Sequence, residues 1–266
     1  MNDIDFACTA CGKCCHDLRL MLTVDEAIAW LHRGGRVELL CDAIPWPVEP
    51  EPDNAFAAYK RARSTPALSG ALPVRVTTVL TASYAGPCPN LRADMRCGIY
   101  DERPLVCRIY PAEINPFVEL SPEGKGCPPD AWHRTPLLRG GAIVDDDTRR
   151  NIERSRAANV AEAPLRAQVC AALGVATAAV ANEGFVIHAP APDALLAALN
   201  GVRAAPAMGE ADEADDAGAQ WTLLSNRAAT VDALASTGAA AGLTASAADD
   251  ARTFRYLGFF PDAAAA

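Results

Sequence analysis

The stretch Phe6-Ala7-Cys8-Thr9-Ala10-Cys11-Gly12-Lys13-Cys14-Cys15 places four cysteines within eight residues. A two-residue spacer lets successive sulfurs curl toward one centre, because the backbone between them turns and its amides point at sulfur. Gly12 lies inside the loop, where a positive φ or a close backbone approach is expected. Three thiols at this spacing match the opening of a bacterial ferredoxin ligand run. Two such spacers fit half of a zinc site equally well. The vicinal pair adds a constraint. Adjacent side chains in extended backbone point apart, so Cys14 and Cys15 need not serve the same ion.

Further along stand Cys88-Pro89, Cys97, Cys107 and Cys127-Pro128, separated by eight, nine and nineteen residues. These spacers carry no metal signature alone. Their number does, since four here and four upstream make eight thiols. Eight suffice for two four-coordinate ions, two clusters, or one cluster with a zinc. The two Cys-Pro pairs are similar to the closing Cys-Pro of the ferredoxin run. Cys41 and Cys170 sit in apolar settings, Val37-Glu38-Leu39-Leu40-Cys41 and Gln168-Val169-Cys170-Ala171-Ala172, and read as small buried hydrophobes.

Nine of the ten cysteines fall in the first 127 residues, which marks the main internal boundary. The opening residues lack the basic-then-apolar pattern of a secretory signal. No apolar run approaches the length of a membrane span. A soluble, cytosolic chain is therefore expected, and in a reducing compartment clustered cysteines read as metal ligands rather than disulfides. The net charge is -9, of which five fall between Glu210 and Asp216, leaving -4 for the rest. Neither value provides the positive face that nucleic acid requires.

Of the 266 residues half are apolar, and alanine dominates the last third. Alanine has the best helix propensity, so the expected fold class is mainly α, with an irregular α+β N-terminal part. Residues 1–135 are expected to form a metal-nucleated cysteine module. Residues 136–203 are expected to pack on it as helices, 204–219 to be an acidic flexible linker, and 220–266 an Ala-rich helical tail. Locally, Thr23 and Glu26 form a capping box for a helix over 23–32, stopped by Gly34-Gly35. Residues 44–55 hold four prolines and read as an extended loop. Residues 74–80 are rich in β-branched side chains and predict a strand. Residues 86–130 carry eight prolines and exclude long helices. Asp145-Asp146-Asp147-Thr148 caps a helix to about Ala161, Pro164 starts another that ends near Gly174, and Asp193 caps a third. A thiolate–zinc site contributes ~10–16 kcal/mol to folding, against ~5–15 kcal/mol net for a whole domain. One metal site is therefore enough to hold the Pro-rich segment.

The run over 6–15, together with Cys97-Gly98-Ile99-Tyr100-Asp101-Glu102-Arg103-Pro104-Leu105-Val106-Cys107-Arg108-Ile109-Tyr110-Pro111, resembles the YkgJ-like cysteine-cluster family, named for its CxxCxxCC motif. The resemblance spans residues 6–128 and leaves 140–266 uncovered. It implies a zinc- or iron-chelating domain whose metal ligands match Cys8, Cys11, Cys14, Cys15, Cys88, Cys97, Cys107 and Cys127. A related domain in flagellin lysine N-methylase is associated with an iron–sulfur cluster, which favours that cofactor, of 4Fe-4S type, over zinc. Three functions follow as expectations. The first is a cytosolic iron–sulfur protein whose centre is structural, redox-active or a Lewis acid. The second is a structural zinc protein whose helices bind a protein partner. The third is a group-transfer enzyme acting on protein lysine. No cofactor loop, P-loop, nucleophile elbow or zincin motif supports the third independently.

Flanking residues have assignable roles. Arg103 and Arg108 offset thiolate charge or hold an anion, or else are solvated surface charges. Lys125 reads as surface charge. Tyr100 and Tyr110 either wall the centre against water or pack ordinarily. His16 reads as a neighbour of the ligands, and His32, His133 and His188 as structural or exposed.

Overall fold

The computed structural model describes residues 3–204, 218–244 and 254–260. Up to residue 109 the elements are β1 (Ile4–Asp5), β2 (Arg19–Leu22), α1 (Val24–His32), β3 (Val37–Pro45), α2 (Ala55–Ala62), β4 (Thr65–Ser69), β5 (Leu72–Ser83) and α3 (Leu105–Ile109). Then come β6 (Pro136–Arg139), β7 (Ala142–Ile143), α4 (Asp146–Ala161), α5 (Ala163–Ala172), β8 (Thr177–Val180), β9 (Gly184–His188) and α6 (Pro192–Ala204). The last are β10 (Thr222–Ser225), α7 (Ala228–Ser236), β11 (Ala241–Leu243) and β12 (Phe254–Gly258).

Strand β3 organises the fold. It runs antiparallel to β5 along its whole length, from Val37 opposite Ala82 to Pro45 opposite Val74. Its other edge is divided. Residues 39–41 pair antiparallel with β9, and Asp42 and Ala43 pair parallel with β8. Strands β2 and β4 extend the sheet beyond β5. Strands β10 and β11 extend it in parallel beyond β8, and β12 pairs with β9. The product is one nine-stranded mixed sheet drawn from both halves of the chain.

Alternation sets its buried face. Val37, Leu39, Cys41 and Ala43 of β3 lie in register with Ala82, Leu80, Thr78 and Val76 of β5. These β3 residues, with Leu80, Ala82 and Val76, join one core with Ile28 and Leu31 of α1, Val169 and Cys170 of α5, and Leu195 and Leu199 of α6. Helices α1 and α4 form where capping predicts. Thr23 Oγ1 accepts from the Glu26 amide at 3.2 Å, and Glu26 Oε2 accepts from the Thr23 amide at 2.9 Å. Asp145 Oδ1 accepts from the Thr148 amide at 2.7 Å at the start of α4. Pro164 lies in the first turn of α5. The Pro-rich 86–130 region holds α3, of five residues, a three-residue 3₁₀ turn and the start of a second 3₁₀ turn, Pro129–His133.

The expected fold class is corrected here. Among the described residues about 33% are helix and 27% strand, with large mixed sheets, so the fold is not mainly α. The error lay in reading alanine as a helix signal. Strand β8 is Thr177-Ala178-Ala179-Val180, and both alanines are 0% exposed. A strand covered on both faces shows no polar alternation, and small side chains fit where helices pack close. The expected helical tail contains α7 alone among the described residues, beside strands β10, β11 and β12. Asp193 lies inside the first turn of α6 rather than before it. Most of the segment read as an acidic linker, residues 205–217, lies outside the described residues, as do 245–253 and 261–266 of the tail. No helix among the described residues is long and apolar enough to cross a membrane.

Candidate metal centre

Four backbone straps bring the cysteine segments together. The first fixes the chain before Cys8. Strand β1 pairs with β6, Phe6 donates its amide to the Thr135 carbonyl at 2.7 Å, and Ala7 donates to the Ala131 carbonyl at 2.9 Å. The Phe6 ring lies 5.1 Å from that of Trp132. Cys8 is thereby set beside the turn that follows Cys127.

The second strap is the loop itself. The Ala10 amide points at Cys8 Sγ, 3.4 Å away, as the two-residue spacer predicts. Ala10 and Gly12 adopt positive φ, 53° and 69°, and the Cys15 amide closes the turn on the Gly12 carbonyl at 3.0 Å. A methyl at Gly12 would lie 2.7 Å from the Met95 carbonyl oxygen and 3.1 Å from Leu91 Cδ1. Both expectations for this glycine hold. The loop rests directly on the turn that joins Cys88 to Cys97.

The third strap joins Cys15 to Cys88. The Cys88 amide donates to the Cys15 carbonyl at 2.7 Å, and His16 bridges Pro87. Asp17 and Gly86 exchange hydrogen bonds of 2.9 and 2.7 Å. Leu91 then bridges Cys97, and the Gly98 amide reaches the Asn90 carbonyl at 2.6 Å.

The fourth strap positions Cys107 and Cys127. Leu105 and Ile109 of α3 pack on Ile152 of α4, while Val106 and Cys107 pack against the main core. Glu26 Oε1 accepts from the Leu105 amide at 2.7 Å, so the capping carboxylate of α1 also caps α3. The Gly126 amide donates to Tyr110 Oη at 2.9 Å, and a methyl added at Gly126 would lie 3.8 Å from Cys14 Cα.

None of the ten cysteines is in a disulfide. Cys8 is exposed, and the other seven expected ligands are half-buried. Cys41 and Cys170 are buried and meet at Thr78, whose hydroxyl lies 3.7 Å from Cys41 Sγ and 3.4 Å from Cys170 Sγ. They belong to the core, as their apolar settings predict.

The thiols act on each other's charge. A hydrogen bond from Cys15 lowers Cys14 to about 6, and the same bond pushes Cys15 up. Burial pushes Cys107 up to about 12, with Cys88, Cys14 and Cys97 as further charged neighbours. Burial also raises Cys127, whose charged neighbours are Cys14, Cys11 and Cys8. Arg103 lies near enough to favour the thiolates of Cys14 and Cys107. Its guanidinium stacks on Tyr100, 3.7 Å from the ring centre, and Arg108 holds the Arg103 carbonyl at 2.8 Å.

Tyrosines border the thiols, in part not the ones expected. Tyr110 hydrogen-bonds Cys127, and burial first and Cys127 second raise its phenol. Tyr100 is 47% exposed. The second bordering residue is Tyr84, half-buried against Trp30, which bonds Cys88 and is raised mainly by burial. Only its position just beyond a predicted strand and before Cys88 could have signalled it. His16 Nδ1 lies 3.2 Å from the Gly12 carbonyl oxygen. His32 and His133 are exposed, and His188 is buried on the Thr177 carbonyl at 2.9 Å. Lys125 pairs with Glu113 at 2.5 Å in a partly buried bridge rather than standing as solvated charge.

This donor set suits a soft or borderline metal. Thiolates select zinc, iron–sulfur clusters and cuprous ion. Among the described residues no three His, Cys, Asp or Glu side chains stand as a ready ligand group.

Residues 7–127 match the model of a family, CxxCxxCC, described as "Putative zinc- or iron-chelating domain". No curated protein and no solved structure gives a significant match.

Proposed function

Starting from residues 7–127 as a member of the CxxCxxCC zinc- or iron-chelating family, we propose that the chain is an iron–sulfur protein, holding a 4Fe-4S centre through cysteine thiolates. One observation carries the choice of cofactor. The strap at Ala7 and Ala131, with Gly126 against Cys14, brings Cys127-Pro128 beside the Cys8, Cys11 and Cys14 loop. Three thiols at two-residue spacings joined by a Cys-Pro make a ferredoxin-like ligand run, whereas zinc modules usually draw thiols as spaced pairs.

Such a centre, when bound, supplies a cross-link between distant chain segments and a site for electron transfer. The chain's own residues condition it. The Ala10 amide donates to the Cys8 sulfur. Tyr84 and Tyr110 hydrogen-bond the Cys88 and Cys127 sulfurs. Arg103 offsets thiolate charge near Cys14 and Cys107. We place the protein in the cytoplasm, whose reducing poise keeps clustered thiols available.

The test is anaerobic purification followed by iron, zinc and acid-labile sulfide analysis, with the visible spectrum. Iron and sulfide in equal amounts with broad visible absorption are expected. Colourless protein with stoichiometric zinc and no sulfide would overturn the iron–sulfur assignment and favour zinc.

A further inference from the structure

We infer that the mouth of the cysteine site is a docking surface for an acidic protein partner, which seats on Met95 and on the unpaired cations Lys13, Arg92, Arg96 and Arg103. The inference rests on the metal-binding reading above and gives that site a partner.

Charge distribution points to it first. Residues 6–20 and 86–110 build most of the mouth and hold six Lys and Arg against four Asp and Glu, a net of +2. Since the whole chain is -9, the rest is -11. Lys13, Arg92 and Arg96 are exposed. Neither they nor Arg103 form an ion pair among the described residues. Arg92 donates instead to the Gly98 carbonyl at 3.3 Å, and Arg103 to the Tyr100 carbonyl at 2.9 Å. Both guanidiniums are thus held in place with no carboxylate against them. The acid between Arg92 and Arg96, Asp94, accepts from the Arg96 amide at 3.1 Å and shapes the turn.

The backbone adds a second observation. The Arg92 amide donates to the Arg96 carbonyl and the Met95 amide to the Arg92 carbonyl, each at 2.9 Å, which puts Met95 at the tip of a tight turn. Its φ is 64°, in the left-handed region that suits glycine or asparagine. The residue there is nevertheless a methionine, and it is 39% exposed. The tip rests on the cysteine loop, since a methyl at Gly12 would lie 3.0 Å from Met95 Cε. A strained, exposed methionine between two arginines does nothing for the core, and strain of this kind collects at binding sites. Methionine is also a common residue of adaptable binding surfaces. Tyr100 continues the patch, 47% exposed beneath the Arg103 guanidinium. Met, Tyr and Arg are the residues enriched where proteins meet.

Cations around an apolar point fit a protein face that offers carboxylates around an apolar recess. A nucleic acid needs a longer basic track, and the four acids in the same two segments interrupt one.

The experiment uses the full chain as purified with its metal. The probe is a fluorescent synthetic peptide of Glu with interspersed Leu. The same peptide with Lys in place of Glu and a thymidine oligonucleotide serve as controls. Binding of the Glu peptide is expected, with affinity falling about tenfold or more as salt rises from about 0.05 to 0.5 M and screening shortens the Debye length. Arg92→Glu combined with Arg96→Glu should weaken binding about tenfold or more. Met95→Asn, which suits the left-handed turn, should weaken it severalfold, and both variants should keep full metal content. Should the double variant fail to fold, Lys13→Gln and Arg96→Gln decide, because those side chains make no hydrogen bond or ion pair among the described residues. Full metal content with no peptide binding at low salt, or binding indifferent to the variants, would overturn the docking surface and leave the metal reading intact. Tighter binding of the oligonucleotide would overturn the protein partner in favour of nucleic acid. Peptide binding by a chain that holds no metal would overturn the metal reading and leave the surface standing.

Discussion

Replacing Gly12 by alanine tests whether the two cysteine segments converge as described. Two costs are expected. The first is conformational, because Gly12 has φ of 69°, and a left-handed residue with a Cβ costs ~1–2 kcal/mol. The second is steric, because the new methyl lies 2.7 Å from the Met95 carbonyl oxygen and 3.1 Å from Leu91. Backbone on one side and a packed leucine on the other leave little room to yield, and overpacking costs ~1–3 kcal/mol. Gly86 supplies the control. Its φ is 75°, it also lies in the site, and nothing stands within 4 Å of a methyl there. Gly86→Ala should therefore show the first cost alone, and Gly12→Ala both, about 2–5 kcal/mol. With a urea slope of ~1–3 kcal/mol per molar, the two midpoints should differ by roughly 1 M in the metal-loaded chain. Gly12→Ala should also release metal at lower chelator concentration. Equal midpoints would mean that the Cys8 to Cys15 loop does not rest on the 91–95 turn, and the convergence argued above would fall with it.

Other expectations follow from single contacts. Glu26→Ala removes acceptors from both the Thr23 and Leu105 amides; at ~1.5 kcal/mol or more per bond to a charged group, a loss of about 3 kcal/mol is expected, and metal retention should weaken because Cys107 rides on α3. An unchanged metal affinity would show that Glu26 caps α1 only. In metal-free chain, Cys14, lowered to about 6, should alkylate at neutral pH well before Cys107, pushed up to about 12. Since the folded value of Cys14 lies below its ordinary 9.0, its contribution to stability is full above about 9 and lost as pH falls toward about 6; Cys107, shifted the other way, contributes below 9.0 and loses that contribution as pH rises toward about 12. Equal alkylation rates would count against the Cys14–Cys15 hydrogen bond. Metal removal should raise hydrogen exchange first across residues 86–130, which hold one five-residue helix, while β3 and β5 stay protected; uniform loss of protection would show that the metal supports the sheet as well.

The local geometry of the cysteine loop was more legible than the fold, for physical reasons. The two-residue spacer predicted an amide aimed at sulfur, and Gly12 a positive φ, both local signals that the loop shows. Capping is local too, so Thr23 with Glu26 and Asp145 marked their helices to the residue. Strand β3 was not legible, because a central strand buried on both faces, Val37-Glu38-Leu39-Leu40-Cys41-Asp42-Ala43, carries no clean alternation. Strand β8 uses alanine where cover is tight, and helix propensity misread it. The second role of Glu26, at Leu105, and the placement of Tyr84 beside Cys88 depend on contacts between residues far apart in sequence. No window along the chain contains them.

The central claim is that cysteine thiolates outside the sheet core bind metal. It is tested most directly by the metal content per chain, by elemental analysis, of the unaltered protein beside Cys11→Ser, Cys107→Ser and Cys170→Ser. Cys170 packs in the core beside Cys41 and Thr78, whereas Cys11 and Cys107 lie on the straps. The account expects bound metal in the unaltered chain, a clear loss in Cys11→Ser and Cys107→Ser, and full content in Cys170→Ser. Equal loss in all three variants, or no metal in the unaltered chain, would contradict it.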